Sequence, residues 1–461
     1  MKIYNKIIPL VGTLFLFGCS TITPRLDITI DVIAKYDATS EHNTTMAIKE
    51  RWWESFESHT LNNLVEEALQ NSPDLLGAYE KIEQAKIALS SAGASYLPSI
   101  DLRAATGASK NFPDEGSSSS SKSSSANVSM SYELDIWDRV GASVRASNSN
   151  VVMNIYDYEA LKLTLISNVT LGYFSYIATK ERLEVAQKNL DIAQKILNVM
   201  EAKLRFGAIN ELDVSRQKTL FYNQQSTLIS LQNQLSGYKN ALAILVGKSP
   251  SGFELEDQKL QTLHEVVVDA GIPSDLLYRR PDIASQKQSI ESSKAFIQMA
   301  DAARYPSFSL SASGGSSSSE LLSFANPTNA ISAGLGIGYN IFDSGRLKNA
   351  RLMEESKAEA ILQTYKKTVL NAFREVEDAL NGINYTSQNL HLVENILLES
   401  QKTFSLATIQ YQNGAIDFTT FLDAQKSFFS AKEQYLVAKQ TKLNSLVILY
   451  KALGGGFSNK G

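Results

Sequence analysis

The side chains that most often carry out chemistry are few and scattered in this sequence. The four histidines lie far apart and lack the short spacing typical of metal sites: His42, His59, His264 and His391. No G-x-S-x-G nucleophile elbow and no P-loop is present. Gly454-Gly455-Gly456 follows a predicted helix without opening another, which is typical of a helix end rather than a phosphate cradle. An enzyme is therefore the less favoured class, and no metal or cofactor is predicted.

The only cysteine, Cys19, lies at the end of an N-terminal stretch that resembles a bacterial lipoprotein signal. Lys2 and Lys6 precede an apolar run, Ile7–Phe17, that is too short to span a bilayer. The resemblance implies that residues 1–18 are a signal peptide and that Cys19, acylated, becomes the first residue and anchors the chain. Each buried methylene of the lipid would contribute about 0.8 kcal/mol. The alternative is an ordinary secretory signal that happens to include a cysteine.

Composition excludes several other classes. With 461 residues, of which 43% are hydrophobic and 20% charged, the chain is neither disordered nor a helical membrane protein. Its formal net charge of -4 gives no indication of a nucleic-acid partner.

Two long amphipathic helices are predicted at corresponding places, Asp138–Phe206 and Asp343–Gln412. Seventy residues of helix would be roughly 100 Å long, about three times the hydrocarbon core of a bilayer. Each ends at a glycine turn, Gly207-Ala208-Ile209-Asn210 or Gly414-Ala415-Ile416-Asp417, and a returning helix follows. The two turns are 207 residues apart. Because shorter motifs repeat at nearly the same offset, the sequence predicts two homologous halves.

Each half also contains a predicted β-hairpin, because the hydrophobic period changes from 3.6 to 2. In the first hairpin the strands around Ile100–Thr106 and Val128–Ile136 flank a serine-rich loop, Lys110–Ser125. In the second the strands Phe308–Ala312 and Ile331–Ile341 flank a loop, Ser316–Asn329. Every strand has one apolar face and one small or polar face. A soluble sheet packed on a core is one interpretation.

Membrane-spanning strands are the other interpretation of the hairpins. Four strands cannot close a barrel, and open strand edges do not occur in lipid, so several chains would have to share one barrel. Three chains would supply twelve strands. In each half, the long helix would form one helical column and the shorter helices, stacked end to end, a second. Two halves in each of three chains would then give twelve helical columns continuing the twelve strands, which suggests a tube.

Four motifs give the chain a resemblance to the TolC-like outer membrane factors, in particular the lipoprotein branch that serves RND-type efflux pumps (the OprM-like, NodT family). These motifs are Ile272–Ile283, Tyr132–Trp137, Ala372–Leu380 and Leu449–Gly456. The resemblance implies an α+β fold with internal duplication. Three chains would share a 12-stranded transmembrane β-barrel that continues into a long periplasmic α-helical barrel.

The resemblance also implies a division of the chain, a location and partners. The expected parts are a signal peptide (1–18), a lipid-anchored arm and equatorial segment (19–60), a first repeat (61–247), an inter-repeat equatorial segment (248–271), a second repeat (272–456) and a tail (457–461). The expected partners are two further copies of the chain, outer-membrane lipid, a periplasmic adaptor protein and an inner-membrane RND transporter. The function implied is passive export of small molecules through a gated tunnel, with the exit duct of a type I protein secretion system as the alternative.

In this family the helical tips form a closable aperture and the adaptor contact, which assigns roles to residues at both turns. Asp423 matches the position of an acidic ring at the aperture. The predicted gate residues are Asp423, Thr419, Lys426, Phe418, Asp213 and Arg216. The predicted turn and adaptor-contact residues are Gly207, Asn210, Gly414 and Asp417.

Less specific interpretations of these tip residues stay open. Asp423 and Lys426 could form an exposed helical ion pair worth about 0.2–0.5 kcal/mol. Asp213 and Arg216 could do the same, or could meet the neighbouring tip. A lipid-anchored scaffold without a pore is a further alternative, against which the alternating strands count.

Overall fold

The computed structural model describes Tyr36 and residues 49–112, 118–265 and 275–457. Cys19 and Ile272–Ser274 therefore lie outside the described residues. The helices in chain order are α1 (His59–Asn71), α2 (Pro73–Ala94), α3 (Arg139–Arg205), α4 (Glu211–Leu245), α5 (Leu276–Arg279), α6 (Pro281–Ala302), α7 (Arg346–Gln412) and α8 (Phe418–Ala452). The strands are β1 (Ser99–Asn111), β2 (Ser119–Leu134), β3 (Ser307–Ser318) and β4 (Thr328–Gly338).

The duplication predicted from the sequence is confirmed by matched helix lengths. Helices α3 and α7 each have 67 residues, and the returning helices α4 and α8 each have 35. The helices that precede the two hairpins, α2 and α6, each have 22. Both of the latter begin with proline, whose fixed φ suits the first turn and whose missing N–H is not needed there. Among the residues that the structure describes, no helix contains a stretch apolar enough to cross a membrane.

The chain forms two compact units. The first comprises the described residues within 81–154 and 285–365 and contains the sheet. The second comprises the described residues within 30–80, 155–284 and 366–461 and contains the helical tips.

The first unit contains one antiparallel sheet of four strands in the order β1-β2-β3-β4. Its register places Ile100 opposite Met130, Met130 opposite Ala312, and Ala312 opposite Ala333. Since side chains alternate between the faces of a strand, this register gathers the apolar residues of all four strands on one face. We call it the apolar face; it carries Ile100, Leu102, Val128, Met130, Tyr132, Leu134, Phe308, Leu310, Ile331, Leu335 and Ile337.

The opposite face is lined mainly by serine and glycine, and we call it the small face. Gly336 lies opposite Ser309 there, and a Cβ added to Gly336 would come within 2.8 Å of the Ser309 hydroxyl. Two hydroxyl pairs also bridge adjacent strands on this face, Ser99 with Ser131 at 2.9 Å and Ser313 with Ser332 at 2.8 Å.

The apolar face is not packed on a core of the described chain. Ile331 is 92% exposed, and Leu102, Leu335 and Ile337 are also exposed. Burying such a face against helices is what stabilises a soluble sheet. The structure therefore does not support the soluble-sheet interpretation.

The strands are longer than the sequence predicted. The loop predicted over Lys110–Ser125 was wrong at both ends, because β1 continues to Asn111 and β2 begins at Ser119; residues 113–117 lie outside the described residues. Lys110 pairs with Ser120, so the hairpin ladder extends into the serine-rich stretch. The backbone supplies the hydrogen bonds of a ladder, and a partner strand therefore overrode a composition typical of loops.

The other strand ends differ by a few residues. The loop predicted over Ser316–Asn329 is shorter, since β3 extends to Ser318 and β4 begins at Thr328. The return strands end at Leu134 and Gly338, before the predicted Ile136 and Ile341.

The second unit has an aromatic core. Trp52 stacks on Tyr450 with ring centroids 5.0 Å apart, and Phe56 meets Phe174 edge to face at 5.0 Å. These rings belong to one buried cluster that also takes side chains from α1, α3, α4 and α8. The core thereby joins the start of the first repeat to the end of the second.

Candidate functional site at the helical tips

Both tips end their long helix with the same glycine cap. Gly207 has φ 69° and Gly414 has φ 74°, a left-handed conformation that only glycine adopts without strain. The next amide closes the turn: Ala208 N–H donates to the Lys203 carbonyl and Ala415 N–H to the Gln410 carbonyl, both at 2.9 Å. This is the Schellman pattern, which satisfies carbonyls at a helix C-terminus.

Both returning helices begin with a side-chain cap. Asn210 Oδ1 accepts from Asp213 N–H at 2.9 Å, and Asp417 Oδ1 accepts from Thr420 N–H at 2.8 Å. Hydrogen bonds from Thr420 lower the pKa of Asp417, and the positive charge of Arg216 adds to the effect. The four predicted turn residues thus hold the tip geometry, as the sequence chemistry of caps indicated.

An aromatic cluster stiffens the second tip from inside. Tyr411 stacks on Phe421 with ring centroids 5.0 Å apart, and Phe418 lies 5.9 Å from Tyr411. The Tyr411 hydroxyl lies 3.3 Å from Met200 Sδ, and the Lys203 ammonium lies 4.7 Å from the Tyr411 ring centroid. Phe418 is only 5% exposed, so it contributes packing at the tip rather than an exposed side chain.

The polar gate candidates are arranged around this core. Asp423 and Lys426 are both exposed, Arg216 is exposed and Asp213 is half-buried. Arg216 Nη1 donates to Thr419 Oγ1 at 2.8 Å, which connects the first tip to the second. In the part of the chain that the structure describes, neither Asp423 with Lys426 nor Asp213 with Arg216 forms an ion pair. The structure thus brings Arg216 and Thr419 together and leaves Asp423 facing solvent.

A surface groove of about 550 Å³ lies between the ends of α3 and α7 beside the tip core. Its lining is mainly apolar, and two lysines, Lys195 and Lys203, border it. No local pattern in the sequence predicts this groove, because it depends on which faces of α3 and α7 lie side by side.

Sequence reasoning also missed the role of Arg280, although it lies in one of the family motifs. Its guanidinium is buried and holds Asp282 at 2.7 and 3.0 Å, Glu375 Oε2 at 2.7 Å and the Ala452 carbonyl at 3.1 Å. Burial opposes its ionisation, but the two carboxylates raise the pKa of Arg280 above its usual value. Arg280 thus ties the start of α6 to α7 and to the end of α8.

Two acidic residues, Glu133 at the end of β2 and Asp135 just after it, each have local partners. Glu133 Oε1 accepts from Arg139 Nε at 3.0 Å. Asp135 accepts from the backbone N–H groups of Val140 and Gly141 at 2.9 and 2.8 Å, at the start of α3. A carboxylate at a helix N-terminus is favoured by the helix dipole.

The family model described as outer membrane efflux protein matches residues 64–248 and 272–455 of the chain, one match for each repeat. The chain belongs to the outer membrane efflux protein family. This confirms the family inferred from the sequence motifs.

Curated relatives match over nearly the whole length. The chain is 31% identical to the pyoverdine export outer membrane protein OpmQ of Pseudomonas aeruginosa, over 98% of each chain. It is 29% identical to the solvent efflux pump outer membrane protein SrpC of Pseudomonas putida, again over 98% of each. Among solved structures, the Campylobacter jejuni CmeC outer membrane channel superposes with a TM-score of 0.87, covering 95% of this chain and 96% of CmeC at 24% identity.

These matches extend to the fold and the general function. The fold is the TolC-like one, mostly helical with a small antiparallel sheet and two repeats. The chain is an outer-membrane component of an efflux system. The proteins that it resembles are transport and channel proteins.

Proposed function

We propose that three copies of this chain form a gated outer-membrane channel of an RND-type tripartite efflux system. The channel docks onto a periplasmic adaptor protein and passively exports small molecules delivered by an inner-membrane transporter. The aperture is controlled at the helical tips.

The sheet supports assembly through its two edges. Strands β1 and β4 are the outer strands of the sheet, and neither has a second strand partner within the described residues. Open edges are not tolerated in lipid, whereas three copies joined edge to edge give twelve strands and no edge. The exposed apolar face then meets lipid, and the small face lines the exit.

The tips support the gate. Capped glycine turns and an aromatic core give each chain two rigid tips joined by Arg216 and Thr419. Asp423 and Lys426 are exposed and unpaired with each other within the described ranges, so each is available to a neighbouring copy. We propose that Asp423, Thr419 and Lys426 line the constriction and that ionic contacts between chains hold it shut. Phe418 supports them from within, and Asp213 and Arg216 contribute from the first tip.

The adaptor contact is proposed at the same end. The turn residues Gly207, Asn210, Gly414 and Asp417 are all exposed, and the apolar groove between α3 and α7 lies beside them. Apolar grooves with a charged border suit a helical partner.

The proposal also includes a lipid anchor on Cys19. It divides the chain into a signal (1–18), an arm (19–60), two repeats (61–247 and 272–456), a linking segment (248–271) and a tail (457–461). OpmQ and SrpC are named for pyoverdine and for solvents. We therefore favour small-molecule efflux over a protein secretion duct.

The decisive measurement is planar-bilayer conductance of the purified chain beside Asp423→Ala. Small steps that become larger in the variant support a gated channel with its gate at the second tip. Glu399→Ala is the matched control, because Glu399 is also exposed but lies 13 residues, about 20 Å, before the end of α7, whereas Asp423 lies 5 residues after the start of α8. Folded, inserted protein that conducts equally with and without Asp423 would refute the gate, and the absence of any steps would refute the channel.

A further inference from the structure

The loop between β3 and β4, residues 319–327, folds back over the sheet, and we call it the β3–β4 loop. Its anchor is a row of three hydroxyl side chains that the register places side by side: Thr106 lies opposite Ser124, and Ser124 lies opposite Ser318. All three belong to the apolar face, since they continue the alternation of Leu102 and Val128.

The backbone of the loop hydrogen-bonds to Ser124 and Ser318, and the Thr106 hydroxyl pairs with that of Ser124 at 3.1 Å. Ser124 Oγ donates to the Glu320 carbonyl at 2.7 Å, and Leu322 N–H donates to Ser124 Oγ at 2.9 Å. Ser318 Oγ accepts from Glu320 N–H at 3.2 Å and donates to the Ala325 carbonyl at 3.3 Å. Ser124 is therefore 2% exposed and Ser318 6% exposed, although both lie on an otherwise uncovered face.

The loop covers the buried hydroxyls and exposes apolar side chains of its own. Leu321, Leu322 and Phe324 are all exposed, Leu322 to 85%. Leu322 has φ 54°, a conformation that leucine rarely adopts, so the loop holds this side chain outward at some conformational cost. Contact with water would not stabilise an exposed leucine and so would not offset this conformational cost.

Two lysines indicate where the apolar face ends. Lys110 and Lys122 lie on that face beyond the hydroxyl row, at the end of the sheet remote from α2 and α3, and both are exposed. From Ile100 to Lys110 the strand rises roughly 33 Å, or about 25 Å along the normal at a typical tilt, which matches the apolar band of a membrane barrel. The hydroxyl row is four residues below Lys110, so it falls inside this band.

From these positions we infer that the β3–β4 loop is a lipid-contacting segment, held against the outer wall of the sheet in the leaflet remote from the helices. It satisfies the buried hydroxyls of Ser124 and Ser318, which would otherwise be desolvated in hydrocarbon, and presents Leu321, Leu322 and Phe324 to acyl chains instead. Glu320, the only charged residue of the loop, fits the headgroup level near the lysines. The loop therefore leaves the channel opening uncovered. This inference rests on the proposed function, in which the sheet spans the membrane.

The test uses the full mature chain in vesicles of phosphatidylcholine with brominated acyl chains, which quench tryptophan on contact. Leu322→Trp reports on the loop, and its signal is read as the difference from the parent, which has three tryptophans. We expect a blue-shifted emission that brominated lipid quenches and that acrylamide in the water does not. Ser123→Trp, on the small face one residue from the anchor, should show the opposite pattern.

Two further variants separate the possible failures. Leu102→Trp, on the apolar face of β1, should be quenched by brominated lipid; if it is not, the sheet is not in lipid and the proposed function fails. If Leu102→Trp is quenched but Leu322→Trp responds only to acrylamide, the loop faces water or covers the opening, and the inference is overturned. If neither agent quenches Leu322→Trp, the loop is packed on a neighbouring copy, which overturns it equally. Adding Ser124→Ala to Leu322→Trp should release the loop and make it accessible to acrylamide.

Discussion

Arg216 Nη1 lies 2.8 Å from Thr419 Oγ1, and this hydrogen bond joins the first helical tip of the chain to the second, in addition to the contacts of Tyr411 with Met200 and Lys203. The two residues are 203 positions apart. The bond therefore links the two repeats at the site where we propose the gate, so that movement of one tip is coupled to the other within the same chain.

Removing this bond should loosen the closed state. A hydrogen bond from a charged donor at an exposed site is worth about 0.5–1 kcal/mol, so Arg216→Ala should raise the open fraction roughly 2- to 5-fold in single-channel recordings. Thr419→Val should have a similar effect, and the double variant should add little to either. The control is Lys218→Ala, which breaks a 3.1 Å ion pair with Glu201 inside the first repeat. Additive effects of Arg216→Ala and Thr419→Val would contradict the coupling.

The stacked ring of Tyr411 should control the rigidity of the second tip. Tyr411→Leu removes the stack on Phe421 and the contact with Lys203, at a cost of about 0.5–1.5 kcal/mol per aromatic pair. Amide hydrogen exchange at residues 411–421 should therefore accelerate. Tyr411→Phe keeps the ring and loses only the hydroxyl contact with Met200, so it should stay close to the parent. Equal acceleration in both variants would show that the hydroxyl, not the stack, holds the tip.

The cap at Asp417 predicts a defined pH response. Because hydrogen bonding lowers its folded pKa below the usual 3.8, the cap is fully present above that value and is lost as the pH falls through the folded pKa. Exchange at Thr420 and Phe421, corrected for intrinsic rates, should increase at a pH below about 3.8. Asp417→Asn retains the accepting oxygen and should remove this pH dependence. Persistence of the same acid response in Asp417→Asn would assign it to another group.

The buried guanidinium of Arg280 should contribute more to the free energy of unfolding than the exposed guanidinium of Arg279. Arg280→Ala leaves Asp282, Glu375 and the Ala452 carbonyl without their donor and should cost about 1–3 kcal/mol of unfolding free energy. Arg279→Ala breaks only an exposed pair with Asp275 and should cost under about 0.5 kcal/mol. Chemical denaturation of the two variants checks the difference, and equal losses would contradict a special role for Arg280.

Alanine substitutions at Gly454 and Gly252 separate the cost of a positive φ from the cost of a steric clash. Both have positive φ, 88° and 79°, so alanine at either position costs roughly 1–2 kcal/mol in strain. A Cβ at Gly454 would also lie 2.0 Å from the Arg279 carbonyl, whereas nothing lies within 4 Å of one at Gly252. Gly454→Ala should therefore lower the denaturation midpoint clearly more than Gly252→Ala. Similar midpoints would show that strain alone matters.

The long helices and their ends were predictable because local chemistry fixes them. Pro73 and Pro281 begin helices, Gly207 and Gly414 end them, and Asn210 caps the next one. The pairing of the hairpin strands was predictable for the same reason, since a period of 2 needs only neighbouring residues.

What the sequence could not provide was any relationship between distant residues. The Arg216–Thr419 bond, the groove between α3 and α7 and the clamp of Arg280 on Glu375 each join segments that come together only in the folded chain. The serine-rich start of β2 was missed because its composition is typical of loops, while its strand structure depends on β1 as a partner. Whether Asp423 lines an aperture depends on other copies of the chain, which no local pattern can indicate.

The equal lengths of α3 and α7 limit how such a chain can evolve. One residue inserted in α3 between Ile155 and Arg205 would turn its tip by about 100° and carry Arg216 away from Thr419. Seven inserted residues would leave a rotation of only about 20°, but would lengthen one helix and not its counterpart. Insertions and deletions that survive selection should therefore come in sevens and in matched sets, in the long helix and the returning helix of each repeat, and the alignment gaps of distant relatives should carry that signature.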